Sequence, residues 1–491
     1  MQGVEPSSAP TSDGKVTWLF FILLSLIVFF SDLGQIDGDG IARWNALWQL
    51  MENHRLTGDK YSIVQPLAAI PLFVAGDVYV KIGRLWSSPG AADRDPAIRQ
   101  LKIMSVVRRF NKFVILLIAI WFYSLLKNRL SWSFQAASSS TIFLLFGSML
   151  IPHAKDFYSE CLWTGLSIAS LFLLSEMRDK RFSQIPRKRR LAFLLITALL
   201  MPLNPSLMIV FAGLSLFIGL GDWIRIRTQR RTSLSSFLAP QPALIMSAAV
   251  LGGSICIAEN YLRRGGLFDF GYGDQGFTGS FITGALGNLF SPARGIVYFI
   301  PSFFLGFYLV FRGRSLKIDA DLSAFLKYSL IYSALLFILY SKWTIWWNGW
   351  YWGPRFFLPL SVFGCLYFLI LIKETWSRSS KLARVVLLIP GVLSVLVYKV
   401  GAAVNQEHLL AWLRRTPEAE PACYWEWRFS PFSSYFNLAD LKSMLMHRST
   451  AVEIIGLIIL ALIYWIYARP HGSGAKFRGV VSTAKFRLNI G

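Results

Sequence analysis

The sequence is poor in charge and in cysteine. Of its 491 residues, 16% are Asp, Glu, Lys or Arg and 54% are hydrophobic, with a mean hydropathy of +0.47. A soluble globular chain carries about 25% charged residues, so the balance argues against a soluble enzyme. Disordered, collagenous and disulfide-rich secreted chains are excluded by the same numbers. Four cysteines, at 161, 256, 365 and 423, are too few and too scattered for a disulfide framework, and no CxxC pair offers a metal or redox site. Three of them fall in or beside apolar runs and read as packing residues; Cys423 sits in a polar region. There is no nucleotide-binding glycine motif, no repeat of 20–50 residues, no low-complexity tract and no soluble domain. Acidic residues are also scarce, 27 against 50 Lys and Arg, for a net charge of +23. In a soluble protein that excess would suggest nucleic acid.

What the sequence has is apolar runs. A helix needs about 20 apolar residues to cross a bilayer. Candidates lie at 17–31, 113–127, 135–151, 161–175, 191–203, 206–222, 241–258, 295–311, 325–342, 355–373, 384–402 and 451–468. The predicted class is all-α, a polytopic membrane protein of about twelve transmembrane helices with juxtamembrane helices on the outer face. Pro202-Leu203-Asn204-Pro205 is read as a tight reversal, and the first run as a retained anchor because it lacks a basic n-region and an A-x-A-like site. Basic clusters at 178–190, 225–231, 312–317, 373–384 and 469–487 all fall on one side if the spans alternate. That is the positive-inside pattern, with both termini cytoplasmic. Topology then accounts for the net charge without a nucleic-acid partner. The chain divides into a core, 1–402, with a first outer loop at 32–112; an outer loop, 403–450; and a last span with a basic cytoplasmic tail, 451–491.

The outer connections 32–112, 152–160, 259–294, 343–354 and 403–450 are long, and chemistry is expected there. Asp37 and Asp39 follow the first membrane exit in a Gly-rich turn. Beside an apolar surface a carboxylate can be raised toward a general base's range; the alternative is capping and solvation of the turn. Ile41, Trp44, Leu47, Trp48 and Met51 predict an interfacial helix over 41–56, and a second amphipathic stretch runs from Tyr61 to about Trp86. The turn 152–160 packs His153, Lys155, Asp156 and Glu160 between two spans, either as a site or as caps for the following helix. Arg294, in Ser291-Pro292-Ala293-Arg294-Gly295, and Arg355, in Trp352-Gly353-Pro354-Arg355-Phe356-Phe357-Leu358-Pro359, each stand at the mouth of a span. Arg is the planar, bidentate partner of phosphate, and Asp156 and Glu160 are the protein's own alternative partners. Tyr272, in the connection 259–294, is a further substrate-binding candidate.

Taken in this order, the motifs resemble the GT-C superfamily of integral-membrane glycosyltransferases that use polyprenyl-phosphate-linked sugars. The similarity is to the bacterial protein mannosyltransferase-like and aminoarabinose transferase-like enzymes, from about residue 17 to 373. It is carried by Asp37-Gly38-Asp39, by Tyr61 to Pro71, by the Lys155–Glu160 turn, and by the SPARG and WGPRFFLP segments. The resemblance implies an inverting, metal-optional transfer with no certain cofactor. It implies Asp39, or else Asp37, as base on the acceptor hydroxyl. Lys155, Asp156, Glu160, Arg294, Arg355 and Tyr272 would bind substrate. The implied partners are a polyprenyl-phosphate-sugar donor, a glycan, lipid or protein acceptor, and membrane lipids, at a bacterial inner (plasma) membrane with the site extracytoplasmic. Many relatives have adjacent Asp-Glu where this chain has Asp-Gly-Asp. A lipid-linked-sugar transporter or flippase, and a polysaccharide polymerase or ligase, are the competing readings. A transporter would place ionisable groups near span centres.

Overall fold

The computed structural model describes residues 12–31, 36, 38–86, 95–178, 180, 182–228, 240–312, 319–347, 349, 352–403, 424–427 and 430. Asp37, Cys423, the run 451–468, the basic tail and most of 403–450 lie outside the described residues. Among the described residues there are helices and turns and no strand. In chain order the helices are α1 Ser12–Phe30, α2 Asp39–Asn53, α3 Val64–Ala68, α4 Ile70–Trp86, α5 Pro96–Val107, α6 Phe110–Ser124, α7 Phe134–Phe146, α8 Leu150–Ala154 and α9 Glu160–Glu176. They continue with α10 Arg187–Leu203, α11 Leu207–Thr228, α12 Pro240–Arg264, α13 Phe281–Phe290, α14 Ile296–Phe299, α15 Leu305–Arg312, α16 Ala320–Ser341, α17 Leu358–Thr375 and α18 Lys381–Ala403. Gln241–Arg264, Ala320–Ser341, Arg355–Thr375 and Lys381–Ala402 are long and apolar enough to cross a bilayer. Gly14–Phe30, Phe134–Phe146, Leu207–Gly221 and Phe281–Phe290 are shorter apolar helices. This is an integral membrane protein of all-α class.

At the centre is α17, whose residues Leu358 to Phe368 are buried on every side. A helix that is apolar all round is one enclosed by other helices, and α17 packs against α7, α9, α15 and α16. Edge-to-face aromatic pairs tie the layers: Phe363 meets Phe325 and Tyr332 of α16, and Phe172 of α9 also meets Phe325. In contrast, Leu382, Val385, Val386, Ile389 and Val392 leave a face of α18 open to lipid.

Some predicted spans are interrupted. The run 295–311 is broken after α14: Ile300 leaves the helical region, and Pro301 opens a 3-10 turn before α15. Proline has no N–H to give the preceding turn and pushes the residue before it out of α. Likewise 135–151 is split at Gly147 into α7 and α8. The segment 259–294, read as loop, holds α13, where Gly284 lies against the Ser341 backbone so closely that a Cβ would fall 2.1 Å from its carbonyl oxygen. The reversal at 202–205 is present, but α10 and α11 find their common partner in α12. Gly252 faces Met201 and Gly253 faces Met208, so α12 touches both arms of the hairpin.

The juxtamembrane helices sit at one end of this bundle. Asp95 caps α5 by accepting from Ala97 N at 2.8 Å, with Pro96 at the first helical position. Arg99 of α5 then bridges Glu52 of α2 and Asp77 of α4, at 2.8 and 2.7 Å. In α2, Gly40, Arg43, Trp44 and Leu47 face inward; Ile41, expected in that stripe, is exposed. At the opposite end of the bundle Glu176 pairs with Arg129 and with Arg189 (3.4 Å), and Asp321 lies 3.8 Å from Arg129. The ion pairs among the described residues therefore gather at the two ends.

Candidate functional site

The N-terminal residue of α2 is Asp39, and the first residue of α9 is Glu160; Arg355 opens the turn into α17. These helix ends converge. Arg355 Nη1 donates to Asp39 Oδ2 at 2.8 Å, and its Nε lies 3.6 Å from Glu160 Oε1. The other Asp39 oxygen accepts from Tyr61 Oη at 2.5 Å. Arg43, one turn along α2, donates to the Asp39 carbonyl at 3.1 Å and to Ser159 Oγ at 2.9 Å, and its guanidinium lies 4.3 Å from the centre of the Tyr61 ring.

Tyr61 is held in place from behind. Arg263, at the end of α12, donates to the carbonyls of Thr57 (2.7 Å), Asp59 (3.1 Å) and Tyr61 (2.6 Å), and pairs with Glu259 at 2.5 Å. Glu259 in turn accepts from Ser62 Oγ and Ile63 N, at 2.9 and 2.8 Å. The side chains of this pair are 1% and 9% exposed, so the chain carries a buried ion pair to fix the backbone of 57–63. Gly271, at φ +70°, lies against Lys60, and an added Cβ there would meet the Lys60 Cα at 2.9 Å.

The converging helix ends, with Tyr61, face a cavity of about 970 Å³; the Glu259–Arg263 pair stands behind its wall. Asp39, Arg43, Lys60, Tyr61, Glu160, Tyr272 and Arg355 line it, together with aromatic side chains such as Tyr340, Trp343, Trp347 and Phe356. The volume and the mix of apolar wall with a few converging polar groups suit a ligand-binding site. Among the described residues no group of three or more His, Cys, Asp or Glu could hold a metal ion.

Asp39 does not have the raised pKa that the sequence suggested. Burial pushes it up, but the Arg355 and Arg43 guanidinium groups and the hydrogen bonds from Tyr61 and Arg355 outweigh burial and bring it down to about 2 from 3.8. Burial, and after it the charge of Asp39 and the hydrogen bond to it, push the Tyr61 phenol up against the opposing pull of Arg43 and Arg355. A carboxyl lowered in the folded state stabilises the fold above its unfolded pKa, and that stabilisation is lost as the pH falls through the folded value. Asp39 is therefore expected to contribute about 2 kcal/mol at neutral pH, fading between about pH 4 and pH 2. Unfolding of Tyr61→Phe and wild type compared across that window checks this. The mutant should lose less stability on acidification, and identical acid limbs would contradict the assignment.

The other sequence candidates separate. Glu160 and Tyr272 join Asp39 and Arg355 on the cavity wall; burial raises the Tyr272 phenol pKa. Lys155, Asp156 and Arg294 are not on that wall. Asp156 is buried in its turn, with Oδ1 accepting from Phe157 N at 2.6 Å and lying beside Gly40. Lys155 is 8% exposed in the same turn. Arg294 donates to the carbonyls of Ala293 (3.3 Å) and Gly349 (2.9 Å), so it ties two loops together. Arg355's acidic partners are Asp39 and Glu160; Asp156 is not one. Sequence reasoning missed Arg43, Lys60 and the Glu259–Arg263 clamp. Arg43 and the clamp were marked by spacing, since Asp39/Arg43 and Glu259/Arg263 are both i,i+4 pairs.

No protein-family model matches the chain, and no curated protein matches it. Among solved structures, the crystal structure of ArnT from Cupriavidus metallidurans bound to undecaprenyl phosphate is similar over 92% of this chain and 77% of that one, at 13% identity and a TM-score of 0.48.

Proposed function

We propose that this chain is a membrane glycosyltransferase. It would move a sugar from a polyprenyl-phosphate donor to an acceptor hydroxyl, with inversion, on the extracytoplasmic face of a bacterial plasma membrane. The observation that carries the reading is one arginine held between two carboxylates, Asp39 and Glu160, on the wall of a cavity large enough for a sugar and its phosphate.

The reaction needs a cation for the leaving phosphate, a carboxylate for the acceptor proton and a pocket shielded from bulk water. Arg355 offers a planar fork to a phosphate, whose charge grows as the C1–oxygen bond breaks. Arg43 and Lys60 add positive charge to the same wall. The aromatic rings around them suit a sugar face. Clustering of ion pairs at the bundle ends favours this reading over a transporter, whose charged groups would lie near span centres.

Vesicles test both the activity and its side. The purified chain is reconstituted with polyprenyl-phosphate donors carrying labelled sugars and is given a membrane-impermeant acceptor panel. Label is expected on the acceptor when the cavity end faces outward and not in the opposite orientation. Movement of intact donor across the bilayer without transfer would replace this reading with that of a flippase.

A further inference from the structure

We infer that the proton acceptor in this site is Glu160 and that Asp39 positions Arg355; the assignment rests on the transferase reading above. The two carboxylates differ in what their oxygens already hold. Both oxygens of Asp39 are engaged, Oδ1 by Tyr61 at 2.5 Å and Oδ2 by Arg355 at 2.8 Å. The hydrogen bonds that hold it also hold its basicity down. A carboxylate with each oxygen committed to a strong donor has little left to offer a substrate hydroxyl.

Glu160 is placed otherwise. It is 3% exposed and stands on the cavity wall. Its Oε1 faces Arg355 Nε at 3.6 Å, whereas its buried Oε2 has no hydrogen-bond partner among the described residues. Native proteins rarely leave a buried carboxylate oxygen without a donor, because the desolvation is not repaid. A substrate O–H meeting Oε2 would repay it. Arg43, bonded to Ser159 Oγ at 2.9 Å, braces the residue immediately before Glu160, so the base sits on a fixed backbone.

The step balances as follows. The acceptor O–H proton passes to Glu160 Oε2. The electron pair left on the acceptor oxygen forms the bond to sugar C1. The bond from C1 to the phosphate oxygen breaks, and its pair stays on the phosphate, against Arg355.

Azide separates a base from a binding residue, because it attacks C1 without losing a proton. Glu160→Gln is expected to lower transfer to a hydroxyl acceptor by about 10²- to 10⁴-fold, the range ascribed to a general base. Formation of glycosyl azide from the same donor should continue near the wild-type rate. Glu160→Asp, which keeps the charge beside Arg355, is the second variant and should show the same split in smaller degree. Asp39→Asn should slow both reactions together. Hydroxyl transfer undiminished in both Glu160 variants, or azide and hydroxyl reactions lost together in them, overturns the assignment. A wild-type chain inert toward both nucleophiles overturns the transferase reading and this assignment with it.

Discussion

Arg355→Ala is expected to cost about 3–5 kcal/mol of stability and to abolish transfer. The stability loss follows from what stays behind. Asp39 and Glu160 would be left in a mostly buried setting with their shared cation gone, and removing one partner of such a group is far costlier than its net worth when intact. Denaturant unfolding in detergent measures it. A double variant, Arg355→Ala with Asp39→Asn, should recover part of the loss, because the two residues are coupled. Arg355→Lys should keep most of the stability yet transfer poorly, since an ammonium cannot meet two carboxylates and a phosphate as a planar fork does. An Arg355→Ala protein as stable as wild type would show that the pair is a loose surface contact.

Arg263→Met is expected to have a comparable effect on stability, about 3–5 kcal/mol, through an unpaired Glu259 and the Thr57 and Tyr61 carbonyls without their donor, the Asp59 carbonyl keeping Arg264. Its consequence for the site is distinct. With 57–63 released, Tyr61 no longer holds Asp39, and the acid limb of stability should move toward that of Tyr61→Phe. Arg263→Met combined with Glu259→Met should be less unstable than Arg263→Met alone, because apolar replacement of a whole buried pair is often near neutral. If the single variant lost stability while its acid limb stayed at the wild-type position, the clamp would be unconnected to Asp39.

The helical class and the reversal at 202–205 were legible because hydropathy and proline punctuation are local signals. The convergence of Asp39, Glu160 and Arg355 was legible in part. Each stood at the mouth of an apolar run, and alternation of spans brings such mouths to one end. The pairing was not legible. Which acid an arginine meets depends on helix rotation and on the tilt of α2, and neither is written in spacing. Arg294 shows the limit: it has the same surroundings in sequence as Arg355, yet its turn aims it at the Gly349 carbonyl. The state of Asp39 was misjudged for a related reason: burial alone would have raised it, and the distant Arg355 and Tyr61 together with Arg43, one turn along α2, reverse the sign. The helix at 281–290 escaped because ten residues are too few to register as a span.

The seat of α12 against both arms of the α10–α11 hairpin bears on how the chain is made. Ribosomes deliver α10 and α11 first, and these two neighbours bury their small-residue contacts on α12 rather than on each other. Until α12 emerges the hairpin waits in lipid with Met201 and Met208 uncovered. The arrival of Gly252 and Gly253 closes both seams at once. The C-terminus of that same helix carries Glu259 and Arg263, so the clamp on 57–63 is completed only after half the protein has been synthesised. The pocket is thus assembled late, by a segment far from the acidic motif that starts it, and a chain truncated before α12 would insert in the membrane without ever forming its site.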